Sequence, residues 1–374
     1  MRVKSKTSKV KDFIKYLFRY FFVTANVLSA LLLIVAAYSD IVSPAVSLIF
    51  PYLGLVFPFI CLLNISFFIY WLALRQWKFM LIGVVSFFIC WNSMRTYFPL
   101  HFRKDIVKTE DVIKVLTYNV MAFATKDHTA ESPNQILQYI ADSGADIVCM
   151  QEYFAFKSGK RLTRAKIDEV LNMYPHRKVL DLQGSGWGVA VYSKFPITGS
   201  RLIGYESETN GSSIHELDIN GKAVTLVNNH LESFKLTMED KTRYSDFLKG
   251  MGPETFDGLL RGTIQQKLGP AYLIRAKQAE VVAKEIQKAK TDYILVCGDF
   301  NDTPISYAHR TIQGPLADAF AESGRGVGVT YNQNYFWFRI DHILHSSNME
   351  SFNCTVDKVK YSDHYPVWCY LKLN

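Results

Sequence analysis

The chain has 374 residues, 49% of them apolar and 20% charged, and a formal net charge of +8. This length and apolar content suit one large folded domain plus a further segment and exclude a disordered chain. The charge is concentrated: residues 1–20 hold seven Lys or Arg against Asp12, +6 of the +8, and residues 21–78 add +1 through Asp40, Arg75 and Lys78. Everything after Lys78 is near neutral, so net charge gives no support for nucleic-acid binding, which draws on many phosphate contacts.

Three apolar stretches follow the basic tail, about Phe18 to Tyr38, Val46 to Leu74 and Phe79 to Met94. A bilayer crossing takes roughly 20 apolar residues, with a lower limit of about 17. The first stretch qualifies. The second is long and contains Pro51 and Pro58, which neighbouring helices tolerate in a membrane, and the third is near the limit unless Arg95 snorkels. A cleaved signal peptide would show one apolar run of about 7–15 residues. The expected organisation is a basic cytoplasmic tail over 1–20, a membrane region with about three transmembrane helices over 21–98, a linker over 99–110 and a catalytic domain over 111–374.

Lys and Arg favour the cytoplasmic side of a membrane. The tail is basic, Ser39 to Ala45 has no basic residue, and Arg75 and Lys78 mark the next turn. This places the N-terminus inside and, after three crossings, the domain outside a cell membrane. Arg95, Arg103, Lys104 and Lys108 leave a second arrangement open, in which the third stretch lies on the surface and the domain is cytoplasmic. The cysteines assign no compartment: Cys61 and Cys90 sit in apolar stretches, and Cys149, Cys297 and Cys369 sit in strand-like runs where a thiol acts as a small hydrophobe. No CxxC spacing of metal-binding type occurs.

From Asp111 onward, short β-branched and apolar runs recur: Val112 to Tyr118, Asp146 to Met150, Gly188 to Ser193, Ala223 to Val227, Tyr293 to Cys297, Arg339 to Leu344 and Val367 to Leu373. Several are apolar at nearly every position, as in strands covered on both faces. Helical spacing is found over Ser132 to Asp142, Lys166 to Met173 and Ala271 to Ala289. The pattern is that of an α/β sandwich.

The chemistry-bearing residues fall at the ends of these strands. Val115-Leu-Thr-Tyr-Asn119 ends in an amide and Asp146-Ile-Val-Cys-Met-Gln-Glu152 in a carboxylate. Val224-Thr-Leu-Val-Asn-Asn-His230 ends in an imidazole, and Ile294-Leu-Val-Cys-Gly-Asp299-Phe-Asn301 in a carboxylate and an amide. Arg339-Ile-Asp341 adds another acid, and Ser362-Asp363-His364 precedes the last strand. Taken singly, Asp and Asn at strand ends are turn formers; six such ends brought to one sheet edge would make a metal-binding and proton-transferring site.

This set resembles the endonuclease/exonuclease/phosphatase superfamily, which includes apurinic endonucleases, pancreatic-type DNases, inositol polyphosphate 5-phosphatases and bacterial sphingomyelinases. The resemblance runs in the family's order from near Val112 to Asn374. It implies a four-layered α/β sandwich, two central mixed sheets flanked by helices, here preceded by transmembrane helices, and attack of water on phosphorus supported by Mg²⁺, with Mn²⁺ as an alternative. It implies Glu152 as principal metal ligand supported by Asn119, and Asp299 orienting and deprotonating the water. Asn301 would bond a phosphate oxygen, and His364, held by Asp341, would contact the phosphate. Asp363 would assist metal or water, and His230, in Asn-His-Leu where the family has Thr-His-Leu, would serve the leaving group.

Met121 stands where the apurinic-endonuclease branch has a second metal-binding acid, which favours a one-metal site. The insertion Leu231 to Ile274 is expected to be either a lid or membrane-facing hood, or a solvated helical excursion. Gly184-Ser-Gly-Trp-Gly188 leads into a strand and so is no phosphate loop. Lys157, Lys160, Arg161, Arg164 and Lys166 form a local basic run. His101, His128, His176, His215, His309 and His345 are given no role, and His342 is expected to be structural. The expected substrate is a phosphate mono- or diester close to a bilayer, such as a phospholipid headgroup or phosphorylated metabolite. The rivals are a membrane-tethered nuclease and an inactive phospho-ligand scaffold.

Overall fold

The computed structural model describes residues 6–158, 161–182, 184, 186–205, 207, 209–250, 258, 266–333 and 336–374. Arg2 and Lys4 of the tail, Lys160 of the basic run, Ser185 of the glycine turn and most of 251–265 in the insertion lie outside these residues.

The first apolar stretch forms a single helix, α1 (Lys6–Ala37). Among the described residues it is the one helix long and apolar enough by itself to cross a membrane. The other two stretches break. α2 (Ile49–Leu55) and α3 (Phe57–Ala73) meet at 65°, and α4 (Trp77–Ile89) and α5 (Trp91–Tyr97) at 67°. Three uninterrupted spans are therefore not what the chain forms. Pro58 stands in the first turn of α3, where it lacks an amide hydrogen to continue the preceding helix. α1, α3 and α4 pack on one another, with Asn64 Nδ2 donating to Ser29 Oγ at 3.0 Å and to Ser29 O at 3.1 Å.

The remainder is built on two six-stranded sheets. One holds β1 (Val112–Asn119), β2 (Ile147–Phe154), β3 (His176–Asp181), β4 (Trp187–Ser193), β13 (Met349–Val356) and β14 (Val367–Leu373), in the order β13-β14-β1-β2-β4-β3. The other holds β5 (Ile197–Leu202), β6 (Ser213–Ile219), β7 (Lys222–His230), β8 (Tyr293–Asp299), β9 (Ala317–Asp318) and β12 (Asp341–His345), in the order β5-β6-β7-β8-β12-β9. A small ribbon pairs β10 (Tyr331–Gln333) with β11 (Phe336–Phe338). Each sheet is mixed: β1 runs parallel to β2 and β7 to β8, among antiparallel neighbours.

Three buried clusters define the layers. Ile113, Val115 and Ile147 of the first sheet meet Leu226, Leu295 and Ile343 of the second between the sheets. The outer face of the first sheet is covered by Ile136, Leu137 and Ile140 of α6 (Gln135–Asp142) and Ile167 of α7 (Arg164–Val170). The outer face of the second is covered by Ala279, Val282 and Ile286 of the helix Gly269–Gln287 and Ala308 and Ile312 of Tyr307–Gln313. The expected four-layered sandwich is what the chain forms. Cys149, Cys297 and Cys369 are buried free thiols between the sheets, as expected of small hydrophobes.

The apolar region and the sandwich are packed together. Ser39 Oγ donates to Ile305 O at 3.3 Å, Arg310 pairs with Asp40 at 3.1 Å, and Arg339 donates to the carbonyl of Thr96. Residues 99–110 run along the sandwich: His101 N donates to Gly324 O, and Lys104 exchanges two hydrogen bonds with the Asn353 side chain.

Candidate active site

Glu152 reaches the site through a backbone irregularity. The pairing of β2 with β4 shifts between Met150 and Tyr153, and Glu152 takes a left-handed φ of 51° there. Such a bulge re-aims a side chain at the rim of a sheet. Strict alternation would have sent Glu152 and Gln151 to opposite faces without bringing the carboxylate over the site. Gln151 keeps the alternation of Ile147 and Cys149 and points between the sheets, donating to Thr117 Oγ1 at 3.0 Å and across to Asn228 Oδ1 at 2.7 Å.

On the second sheet, His230 and Asp299 are register partners on parallel strands, and Asp299 and Asp341 on antiparallel ones. Gly298 makes this pairing possible: its φ is +129°, and a Cβ there would fall on the Asn229 carbonyl oxygen. Asn301 follows in the left-handed region (φ 52°), so that its own N–H turns back to donate to Asp299 Oδ1 at 2.7 Å.

All eight expected residues come together. Asn119 links the sheets, donating from Nδ2 to Glu152 Oε1 and to Asp299 Oδ2, each at 3.1 Å, while its Oδ1 accepts from Met121 N. His364 Nδ1 lies 2.9 Å from Asp341 Oδ2, and its Nε2 lies 3.6 Å from Asp299 Oδ2. His230 Nε2 is 3.7 Å from Glu152 Oε1 and 4.0 Å from Asp299 Oδ2. Asn301 Nδ2 donates to Leu231 O at 2.9 Å. Glu152, Asp299, Asn301, Asp363 and His364 line one cleft of about 200 Å³, with Asn119, His230 and Asp341 directly bonded to or beside them.

Burial sets the electrostatics. It pushes the Asp299 carboxyl up to about 6 against the lowering pull of His364, and it also raises Glu152, where the Asn119 hydrogen bond partly offsets it. Burial lowers His230, keeping its ring neutral. For His364 burial also works against the charged ring, but Asp341 and Asp299 outweigh it and hold its pKa well above the usual value. The donor set fits a hard divalent cation. Glu152, Asp299, Asp341 and Asp363 bring carboxylate oxygens into one enclosed place, and the raised Glu152 and Asp299 are what such a cation would bring back down. Asp299, Asp341 and His364 have ligand atoms within 4.8 Å of one another.

Several site residues had no signal in the sequence. Asn210, in a Thr-Asn-Gly stretch that looks like a turn, places Nδ2 3.0 Å from His230 Nε2 and donates to Leu231 O. Thr330 Oγ1 accepts from Asp341 N at 3.2 Å, and the Tyr331 ring lies against His364 at 5.1 Å. Lys241, on α8 (Met238–Leu248), lines the cleft with its ammonium 5.3 Å from the Tyr331 ring. The described part of the insertion therefore lines the cleft, through Ser233, Phe234, Lys235, Leu236, Lys241 and Leu268. His309 and His342 are buried side by side, ring centroids 4.5 Å apart, with His309 Nε2 3.2 Å from Asp318 Oδ2. Arg164 of the basic run pairs with Asp168 at 3.0 Å, a local structural use.

Residues 116–364, two thirds of the chain, match the sequence profile of the Endonuclease/Exonuclease/phosphatase family. The chain belongs to this family. Its members are metal-dependent hydrolases of phosphoester bonds, and membership assigns that class of reaction to the site described above. Residues 19–97 match a second profile, a domain of unknown function. No curated protein matches the chain. Among solved structures, an endonuclease/exonuclease/phosphatase from Beutenbergia cavernae is 18% identical, with a TM-score of 0.49 over 70% of this chain and 72% of that one. A family member from Bacteroides vulgatus is 19% identical, with a TM-score of 0.48 over 71% of this chain and 100% of that one. Staphylococcus aureus beta toxin is 18% identical, with a TM-score of 0.46 over 69% of this chain and 99% of that one.

Proposed function

We propose that this family member is a membrane-anchored, Mg²⁺-dependent phosphoesterase that hydrolyses a phosphate mono- or diester beside the bilayer. The observation that carries the reading is the single cleft in which Glu152, Asp299, Asn301, Asp363 and His364 share a wall with Leu55 of the apolar N-terminal region. In this reading residues 1–20 are a cytoplasmic tail, 21–98 a multi-pass membrane region, 99–110 a connection and 111–374 an extracytoplasmic catalytic domain.

Glu152 would hold the metal, with Asn119 beside it fixing the separation of Glu152 from Asp299. A cation held there would supply positive charge that stabilises the phosphate oxygens as negative charge develops. Asp299, held in place by hydrogen bonds from Asn119 Nδ2 and Asn301 N, takes a proton from water as the water oxygen bonds to phosphorus. Asn301 and the protonated His364 donate to phosphate oxygens, Asp341 holds the His364 ring, and Asp363 orients water or metal. The ester P–O bond breaks, and the leaving oxygen takes a proton from water on the side where the neutral His230 ring lies.

The test uses the full chain in detergent. Phosphate or a phosphorylated product should be released from ester substrates with Mg²⁺, stop on chelation and return on readdition. Glu152→Ala and Asp299→Ala should each lower the rate by about 10²-fold or more. Undiminished activity in both variants overturns the reading, and digestion of plasmid DNA at physiological salt in preference to smaller esters would favour a tethered nuclease. Protease digestion of intact cells reports the side of the domain.

A further inference from the structure

We infer that the cleft takes an amphiphile, with the phosphate ester at the polar end and a hydrocarbon tail along a wall that the membrane region helps to build. This inference rests on the phosphoesterase reading and names its substrate class. The cleft lining is chemically mixed: Glu152, Asp299, Asp363, His364 and Lys241 supply charge, and Leu55, Phe234, Leu236, Leu268, Phe336 and Phe338 supply apolar surface. Such an apolar wall gives little to a nucleotide or sugar phosphate, whose remaining groups need polar partners. For an alkyl chain, each buried methylene strengthens binding on the order of fourfold.

The wall is continuous with the membrane region. Leu55 is the last residue of α2, at the 65° break before α3, where Val56 and Phe59 turn exposed apolar side chains outward. α2 is clamped where it lies: a Cβ on Gly54 would fall on Ser39 Oγ, with the Ile305 carbonyl next, and Ile305 is four residues beyond Asn301. Tyr52 of α2 packs on Tyr272 at 5.9 Å, and Tyr272 packs on Phe234 of the cleft wall at 5.2 Å. Phe336 of the lining is held by α8, where Tyr244 packs on it at 4.5 Å. Aromatic packing thus connects α2 to the cleft, and Lys241 and His364 supply the positive charge that a phosphate there requires.

The inference is tested by calorimetric titration of the full chain, in one fixed detergent with Mg²⁺, with butyl, octyl and dodecyl phosphate. Affinity should rise at least 100-fold from butyl to dodecyl phosphate, and this rise should shrink at least tenfold in Leu55→Lys and in Phe336→Ala. Detergent partitioning is the same for all three proteins, so the difference in slope belongs to the cleft. Two substitutions on separate elements keep the test valid should one fail to fold. Equal affinity across the series, or an unchanged slope in both variants, overturns the inference. Ester hydrolysis, measured separately by phosphate release and its loss in Glu152→Ala, then still stands; a steep slope without hydrolysis keeps the tail site and removes the reaction.

Discussion

Asp299 and Asp341 face each other across antiparallel strands, and the His364 ring spans them, 2.9 Å from Asp341 and 3.6 Å from Asp299. Burial is opposed to charge on Asp299 and on His364, and the opposite charge of each favours ionisation of the other. Asp341→Asn and His364→Ala should each reduce kcat by about 10²–10⁴-fold. The double variant should fall well short of the product of the two losses, since both remove one oriented imidazolium. Steady-state kinetics on the four proteins measure this; multiplicative losses would show that the pair does not act as a unit.

Gly298 sets the register that brings His230 beside Asp299. Its φ of +129° and the closeness of Asn229 leave no room for a side chain. Gly298→Ala should cost about 1–3 kcal/mol from the backbone alone, before the clash is relieved. Thermal unfolding of the variant checks this, and an unchanged Tm would mean that β7 and β8 can separate freely at this point.

Arg275 is fully buried and pairs with Asp302 at 2.9 Å, one residue beyond Asn301. Its Nε also donates to Glu232 O at 2.9 Å, tying the start of the insertion to the catalytic loop. Asp302→Ala leaves a buried guanidinium without its anion and should destabilise by about 3–5 kcal/mol. Denaturant unfolding measures the loss, and Arg275→Met combined with Asp302→Ala should recover much of it.

His215 lies within the second sheet between Ser200 and Ser213, each 2.8 Å from a ring nitrogen. Burial lowers its pKa from 6.5 to about 4. The unfolded chain therefore takes up the proton first as pH falls. The stabilisation from the neutral ring is complete above about pH 6.5 and lost as pH falls towards 4, with no further loss below. The amount is about 3 kcal/mol by linkage. Unfolding midpoints between pH 7 and 4 should trace this limb, and His215→Gln should flatten it.

Much of the site was legible because the sheets are built from nearly continuous apolar runs. A polar residue ending such a run has one place to go, the sheet edge, and Asn119, His230, Asp299 and Asp341 were found that way. The strand ranges erred where an edge carried polar residues. β2 extends through Glu152 to Phe154 because a bulge keeps pairing past the carboxylate, and β12 begins at Asp341, not Arg339, because Arg339 turns away to Thr96.

The sequence by itself determined the layers, the order of the catalytic residues and the apolar character of the N-terminal region, since periodicity and strand-end chemistry are local properties. Tertiary structure decided the rest. Asn210, Thr330, Tyr331 and Lys241 join the site from loops, a short ribbon and an insertion that carry no strand-end signal in the sequence. The break after Leu55 comes where Gly54 packs on Ser39 and Ile305 and Pro58 opens the next helix. Hydropathy counts apolar residues along the chain, and it holds no information on which of them, such as Leu55, line the cleft beside Glu152 and Asp299.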